Sequence, residues 1–135
     1  MKEQEIRGVL TSLLSDSGAD WKEENGYIRF RLERKGLLWE TGCRCRDGEI
    51  LIYGRYPFRT ENTLPTLKEL NRINSRLLRG SLFLDETGGC ICRTRAEMDD
   101  FYMARERLIA ALEYNAQVIA HFREPLSRRG VTMNG

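Results

Sequence analysis

Histidine is nearly absent from this chain: His121 is the single one among 135 residues. One imidazole excludes a His-pair metal site and leaves little scope for His-dependent acid–base chemistry. Beside Phe122, near the end of a helical pattern, it reads as a surface or helix-end residue. Other signatures are missing too. No Gly-x-Ser-x-Gly elbow surrounds a serine, and there is no phosphate-binding loop, no Gly-x-Gly-x-x-Gly and no His-Glu-x-x-His. Nowhere do about 18 apolar residues run together, so no membrane-spanning helix is expected. Met1-Lys2-Glu3-Gln4-Glu5 lacks the apolar stretch of a secretory leader, and the expectation is a soluble, cytoplasmic protein. Neither charge dominates, with 22 Lys and Arg against 20 Asp and Glu, so long-range attraction for nucleic acid or anionic lipid is weak. Together these absences point away from an enzyme and from any cofactor.

What the chain does have is two hydrophobic periods in a telling order. Ile6, Val9, Leu10, Leu13 and Leu14 make an apolar helical stripe ending near Ser17-Gly18. After the polar stretch from Lys22 to Gly26 the period drops to two. Ile28, Phe30 and Leu32 alternate with Tyr27, Arg29, Arg31 and Glu33, and Trp39, Thr41, Cys43 and Cys45 alternate with Glu40, Arg44 and Arg46. Asp47-Gly48 is a hairpin turn, since Asp and Gly tolerate the positive φ of a type I′ loop. A third strand is predicted from Glu49 to about Tyr56, ended by Pro57, with Ile50 and Ile52 opposite Leu51, Tyr53 and Arg55.

Thr63 is the predicted N-cap of a second helix, with Pro65 in its first turn and Leu67, Leu70, Ile73, Asn74, Leu77 and Leu78 on its stripe, ending at Gly80. Ser81 to Asp85 and Cys90 to Arg95 form a second hairpin. Met98 to Phe122 carries helical spacing for about six turns, with Asp99 and Asp100 at its positive end and Pro125 closing it. The expected fold is a single α+β domain over residues 1–125 in the order α-β-β-β-α-β-β-α, with a five-stranded antiparallel sheet covered mainly on one face by helices. Residues 126–135 are expected to be a flexible tail.

Three groups of residues remain as candidate chemistry. Cys43-x-Cys45 and Cys90-x-Cys92 supply four thiols, enough for tetrahedral zinc. Flat strand residues at i and i+2 lie roughly 6.5 to 7 Å apart, a poor fit to the bent Cys-x-x-Cys knuckle, so four buried thiols is the plainer reading. Asn71 and Asn74 are mediocre helix formers, and an amide there implies a specific partner: a ligand, or a loop or strand carbonyl. Glu33, Glu40 and Asp85 sit among arginines and read as ion pairs rather than a catalytic carboxylate pair.

The last candidate is the sheet surface itself. Opposite the core, Tyr27, Arg29, Arg31, Arg44, Arg46, Tyr53 and Arg55, with Arg93 and Arg95, place aromatics among arginines, which permits stacking on bases and pairing with phosphates. With the cysteines inward, Leu82, Leu84 and Ile91 face outward beside Leu51, an apolar strip of the kind that binds proteins. The alternative is that the faces of this hairpin are reversed and the leucines are core.

Leu70-Asn71-Arg72-Ile73-Asn74, then Gly80 to Asp85, then Gly89 and Arg93, resemble the type III secretion chaperone-like superfamily, in particular its YbjN-type branch of bacterial sensory transduction regulators. The element order resembles it along nearly the whole chain. The resemblance implies a cytoplasmic, non-enzymatic, frequently dimeric domain whose chaperone members bind segments of other proteins. Those chaperones are typically acidic and this chain is slightly basic, which speaks against an effector chaperone and favours a regulator or another kind of binding module. The strand order of the family also keeps the two Cys-x-Cys units apart.

The function expected from all of this is capture of a segment of a protein partner by a homodimer. Leu51, Tyr53, Leu82, Leu84 and Ile91 would supply burial, and Arg44, Arg55 and Arg93 orientation. Nucleic-acid binding by the basic face and a small zinc module are the alternatives.

Overall fold

The computed structural model of the protein describes residues 1–131. The elements, in chain order, are α1 (Glu3–Asp16), β1 (Trp21–Glu24), β2 (Tyr27–Arg34), β3 (Leu37–Arg46), β4 (Glu49–Thr60), α2 (Leu64–Asn74), β5 (Ser81–Leu84), β6 (Gly89–Glu97), α3 (Ala104–His121), α4 (Arg123–Ser127) and β7 (Gly130–Val131). The fold class is the expected one. All strand pairs are antiparallel, in the spatial order β1-β2-β3-β4-β6-β5, and the two-residue β7 joins the far end of β4.

The sheet thus has six principal strands where five were expected. The additional strand, Trp21-Lys22-Glu23-Glu24, lacks apolar alternation, and all four of its residues are exposed. It exists because Asn25 and Gly26 both take positive φ, 54° and 81°, the conformation of a two-residue hairpin loop, which pairs Glu24 with Tyr27 and Trp21 with Phe30.

The inner face carries the core. α1 sets Ile6, Leu10, Leu13 and Leu14 over Ile28, Phe30, Cys43, Cys45, Ile50 and Ile52. A second cluster joins Leu70 and Ile73 of α2 and Val118 and Ile119 of α3 to Trp39, Tyr56, Leu82, Cys90 and Cys92. Tyr56 is nearly inaccessible, and its hydroxyl donates to the Ile119 carbonyl at 2.8 Å. β4 lies at the centre, between β3 and β6, and contributes to both clusters.

Four boundaries differ from the sequence expectation. β4 runs through Pro57 to Thr60, because the ladder with β6 shifts register between Arg55 and Arg59 and the pairing with β3 ends at Arg55, so no neighbour requires the missing N–H of Pro57. α2 is capped by Thr63 as expected but stops at Asn74, leaving Leu78 almost wholly exposed. Met98 is a buried residue just beyond β6, and a 3-10 turn over Phe101–Met103, capped by Asp100, precedes α3, so Phe101 and Tyr102 are exposed. The chain also remains folded past residue 126: Pro125 sits in the first turn of α4, where its missing donor costs nothing. Leu126 is fully buried, and Glu61 donates to the Arg129 carbonyl. Residues 132–135 of the expected tail lie outside the described residues.

Candidate functional site

Pairing register dictates which side chains share the outer face. Residues directly opposite in an antiparallel ladder project to the same side. One row across the sheet therefore reads Lys22, Arg29, Gly42, Tyr53, Arg93 and Ser81; the next reads Arg31, Glu40, Arg55, Ile91 and Phe83; and Arg44, Leu51 and Arg95 lie on the opposite flank. No helix among the described residues packs here, since the helical core contacts are all with the inner set.

Gly42 shapes the surface. Its missing side chain leaves a gap in the row, over which Tyr27 and Tyr53 meet edge to face with centroids 5.9 Å apart. The Arg44 guanidinium lies over the Tyr27 ring at 5.8 Å. The result is a shallow trough of about 360 Å³ with Tyr27, Arg29, Tyr53, Arg55, Ile91 and Phe83 among its walls. A neighbouring hollow shares Glu40 and Arg55 and continues toward Pro57 and Arg59.

Six of the eight residues expected to bind a partner lie on this face: Leu51, Tyr53, Ile91, Arg44, Arg55 and Arg93. Leu51 is shielded, 7% exposed, between its cross-strand neighbours Arg44 and Arg95. Leu82 and Leu84 do not belong to the face. They pair with Cys92 and Cys90, project inward with them, and pack in the second core cluster. The loop decides this. Asp85 N–H donates to the Gly89 carbonyl, leaving three residues in the turn, an odd number that puts even-numbered residues of both strands on one side. The reversed-face alternative therefore holds for the two leucines, while Ile91 stays outward and Phe83, not anticipated, joins it.

Arg55 is held by Asp85 at 2.7 Å. Burial would raise the Asp85 carboxyl, but hydrogen bonds from the Thr87 hydroxyl and from the Gly89 and Thr87 N–H groups, together with Arg55, outweigh it and bring its pKa down to about 2. Arg95 is paired with Glu49 and Glu97, and Arg31 with Glu40 at 3.8 Å; of the three carboxylates expected in ion pairs, Glu40 and Asp85 form them and Glu33 has no such partner among the described residues. Arg29, Arg44, Arg46 and Arg93 have no carboxylate partner among the described residues, and Arg29 is half-buried.

The remaining sequence candidates resolve as structure. All four cysteines are buried and free. Burial, with Cys45 beside it, raises the Cys43 thiol far above its ordinary range. Burial, opposed by Arg7, brings Cys45 to about 11, and burial brings Cys90 and Cys92 to about 12. β4 separates the two Cys-x-Cys pairs, and among the described residues no group of three or more His, Cys, Asp or Glu could hold a metal ion. The zinc alternative has no support in this geometry. Asn74 takes the structural role: its Oδ1 accepts from Leu82 N–H at 2.7 Å and its Nδ2 donates to the Leu82 carbonyl at 3.0 Å, so it substitutes for a neighbouring strand at the sheet edge. Asn115 plays a similar part unannounced. It is buried in α3 and donates to the Cys92 carbonyl and to Thr94 Oγ1, both at 3.0 Å.

No family model matches the chain, and no curated protein does. Among solved structures, YbjN of E. coli, described as a candidate transcription regulator, superimposes with a TM-score of 0.66 at 17% identity, over 93% of this chain and 95% of that one. The chain has the YbjN fold. The likeness covers nearly all of both chains, which agrees with the element order that the sequence presented, and at this identity it speaks for architecture alone. No helix among the described residues is long and apolar enough to cross a membrane.

Proposed function

We propose that this protein is a non-enzymatic, regulatory binding module of the cytoplasm, acting as a homodimer that docks a segment of a partner protein on the outer face of its sheet. The observation that carries this reading is the composition of that face: half-buried Tyr53 and Ile91 at its centre, shielded Leu51 on one flank, arginines around them, and no helix among the described residues lying over it. An apolar and aromatic centre inside a polar rim is the anatomy of a protein-binding patch. The description of YbjN as a candidate transcription regulator is compatible with such a role. Against catalysis by this face stands the chemistry of its groups: Asp85 is fully ionised in an ion pair at neutral pH, and the thiols are buried on the opposite side.

Nucleic acid is the second reading, favoured by the unpartnered arginines. Glu40, Glu49 and Glu97, interleaved on the same face, would repel a phosphate backbone, and they weigh the choice toward protein. The test is affinity purification of the tagged full-length chain, with mass spectrometry of the partners and native mass of the recovered complex. Ile91→Asp should abolish recovery of the partner, whereas Ile109→Asp, an equally charged change on the exposed helical side, should leave it intact. Undiminished recovery by a folded Ile91→Asp protein contradicts the proposal.

A further inference from the structure

The trough on the outer face is built unlike an ordinary solvated surface, and its charge indicates what fits it. One row of the face, Arg29, Gly42, Tyr53 and Arg93, crosses β2, β3, β4 and β6; its first three residues line the trough, and exposed Arg93 stands beyond Tyr53, outside the lining. Adjacent strands lie about 4.8 Å apart, so the two arginines stand about 14 Å apart with the Gly42 gap and the tyrosine pair between them. Neither has a carboxylate partner among the described residues, although Arg31, Arg55 and Arg95 on the same face all do. Arg29 is half-buried as well, and a guanidinium partly withdrawn from water without a counter-ion is a standing demand for an anion.

Resting on the protein-docking reading above, we infer that the trough takes an extended acidic segment of a partner protein, with two carboxylates about four residues apart and an aromatic residue between them. An extended chain rises about 3.3 Å per residue, so carboxylates at i and i+4 match the separation of Arg29 and Arg93. The intervening side chain then lies over the Gly42 gap, against Tyr27 and Tyr53, with Ile91 and Phe83 closing the apolar end. Glu40, which lines the trough on the adjoining row 3.8 Å from Arg31, repels a third carboxylate there, so the spacing of the two arginines and not negative charge alone is the requirement. A uniformly charged polyphosphate backbone meets that same glutamate, which separates this ligand class from nucleic acid.

Direct titration tests the inference. The probes are fluorescein-labelled, end-blocked nonapeptides, Gly-Ser-Glu-Ser-Trp-Ser-Glu-Ser-Gly, its version with Gln for both Glu, and an isomer with the two Glu adjacent, read by anisotropy against the full-length protein. The spaced peptide should bind about tenfold more tightly than either comparison peptide, and Arg29→Gln and Arg93→Gln should each weaken it about five- to tenfold. Gly42→Val should abolish binding. A Cβ at Gly42 meets nothing closer than Tyr27 at 3.7 Å, and Val suits a strand, so this variant folds, as circular dichroism will verify. Gly42→Ala is the milder second version. Arg107→Gln, on the helical side, should change nothing.

Equal affinity for the spaced and the Gln peptides, or unaltered binding by Gly42→Val, overturns the inference. So does a thymidine dodecamer that binds more tightly than the spaced peptide and competes for the same arginines. Retained partner recovery by the arginine variants, with loss in Ile91→Asp, would sink the acidic segment while leaving the protein-docking reading standing. Retained recovery by Ile91→Asp would sink both.

Discussion

Asp85 shows how one side chain fixes a loop and, through it, the composition of a face. Its Oδ1 collects the N–H groups of Thr87 and Gly89 and the Thr87 hydroxyl, while its Oδ2 holds Arg55. The folded-state pKa of about 2 lies below the ordinary aspartate value near 4, so the stabilisation is present above about pH 4 and disappears as pH falls toward 2. Asp85→Asn should therefore be less stable than the parent at neutral pH and should show a flatter loss of stability between about pH 4 and 2. Urea-unfolding midpoints at a series of pH values check this. A parallel, undiminished acid transition in the variant would show that Asp85 does not carry it.

At the scale of elements, the sheet edge at β5 is managed by a helix. β5 has only four residues, pairs with β6 on one side, and on the other offers Leu82 to the amide of Asn74. α2 is thereby anchored by two hydrogen bonds as well as by Leu70 and Ile73 in the core. Asn74→Ala should cost about 1 to 2 kcal/mol, read from the denaturation midpoint, with faster amide exchange confined to α2 and β5. Unchanged exchange at Leu82 would contradict the anchoring role.

The first three helices and five of the strands, β2 to β6, were legible from apolar residues recurring at 3.6 or 2.0 residues and from the turns between them, and the cysteine faces followed from the same alternation; α4 fell in the expected tail. β1 was not, for its only signal is the Asn25-Gly26 turn, and an edge strand exposed on both faces needs no apolar residue. The orientation of Leu82 and Leu84 depended on whether the loop beyond them holds an odd or an even number of residues. That count is set by the backbone bond from Asp85 N–H to the Gly89 carbonyl, in a loop braced by the Asp85 side chain, which no periodicity reveals. For the face itself, Tyr53, Ile91 and the arginines were readable from alternation. The central role of Gly42 was not, because a gap becomes visible only once the register places Arg29 and Tyr53 beside it.

At the scale of the whole molecule, the two faces of one sheet divide the work. The inner face is closed by α1, α2, α3 and α4, whose apolar residues form two clusters joined along β4, and it supplies the stability. The outer face contributes little burial of its own and carries the exposed arginines and half-buried aromatics. Such a division leaves the outer face free to bind without unfolding the core, the arrangement expected of a docking module whose partner arrives preformed or extended.

Hydroxyl-radical footprinting of the protein with and without its co-purified partner tests this division most directly. The account predicts protection of Tyr27, Tyr53 and Phe83 on the outer face and none at Tyr102 or Ile109 on the helical side. Protection confined to the helical side, with the three outer-face residues as reactive in the complex as in the free protein, would contradict it.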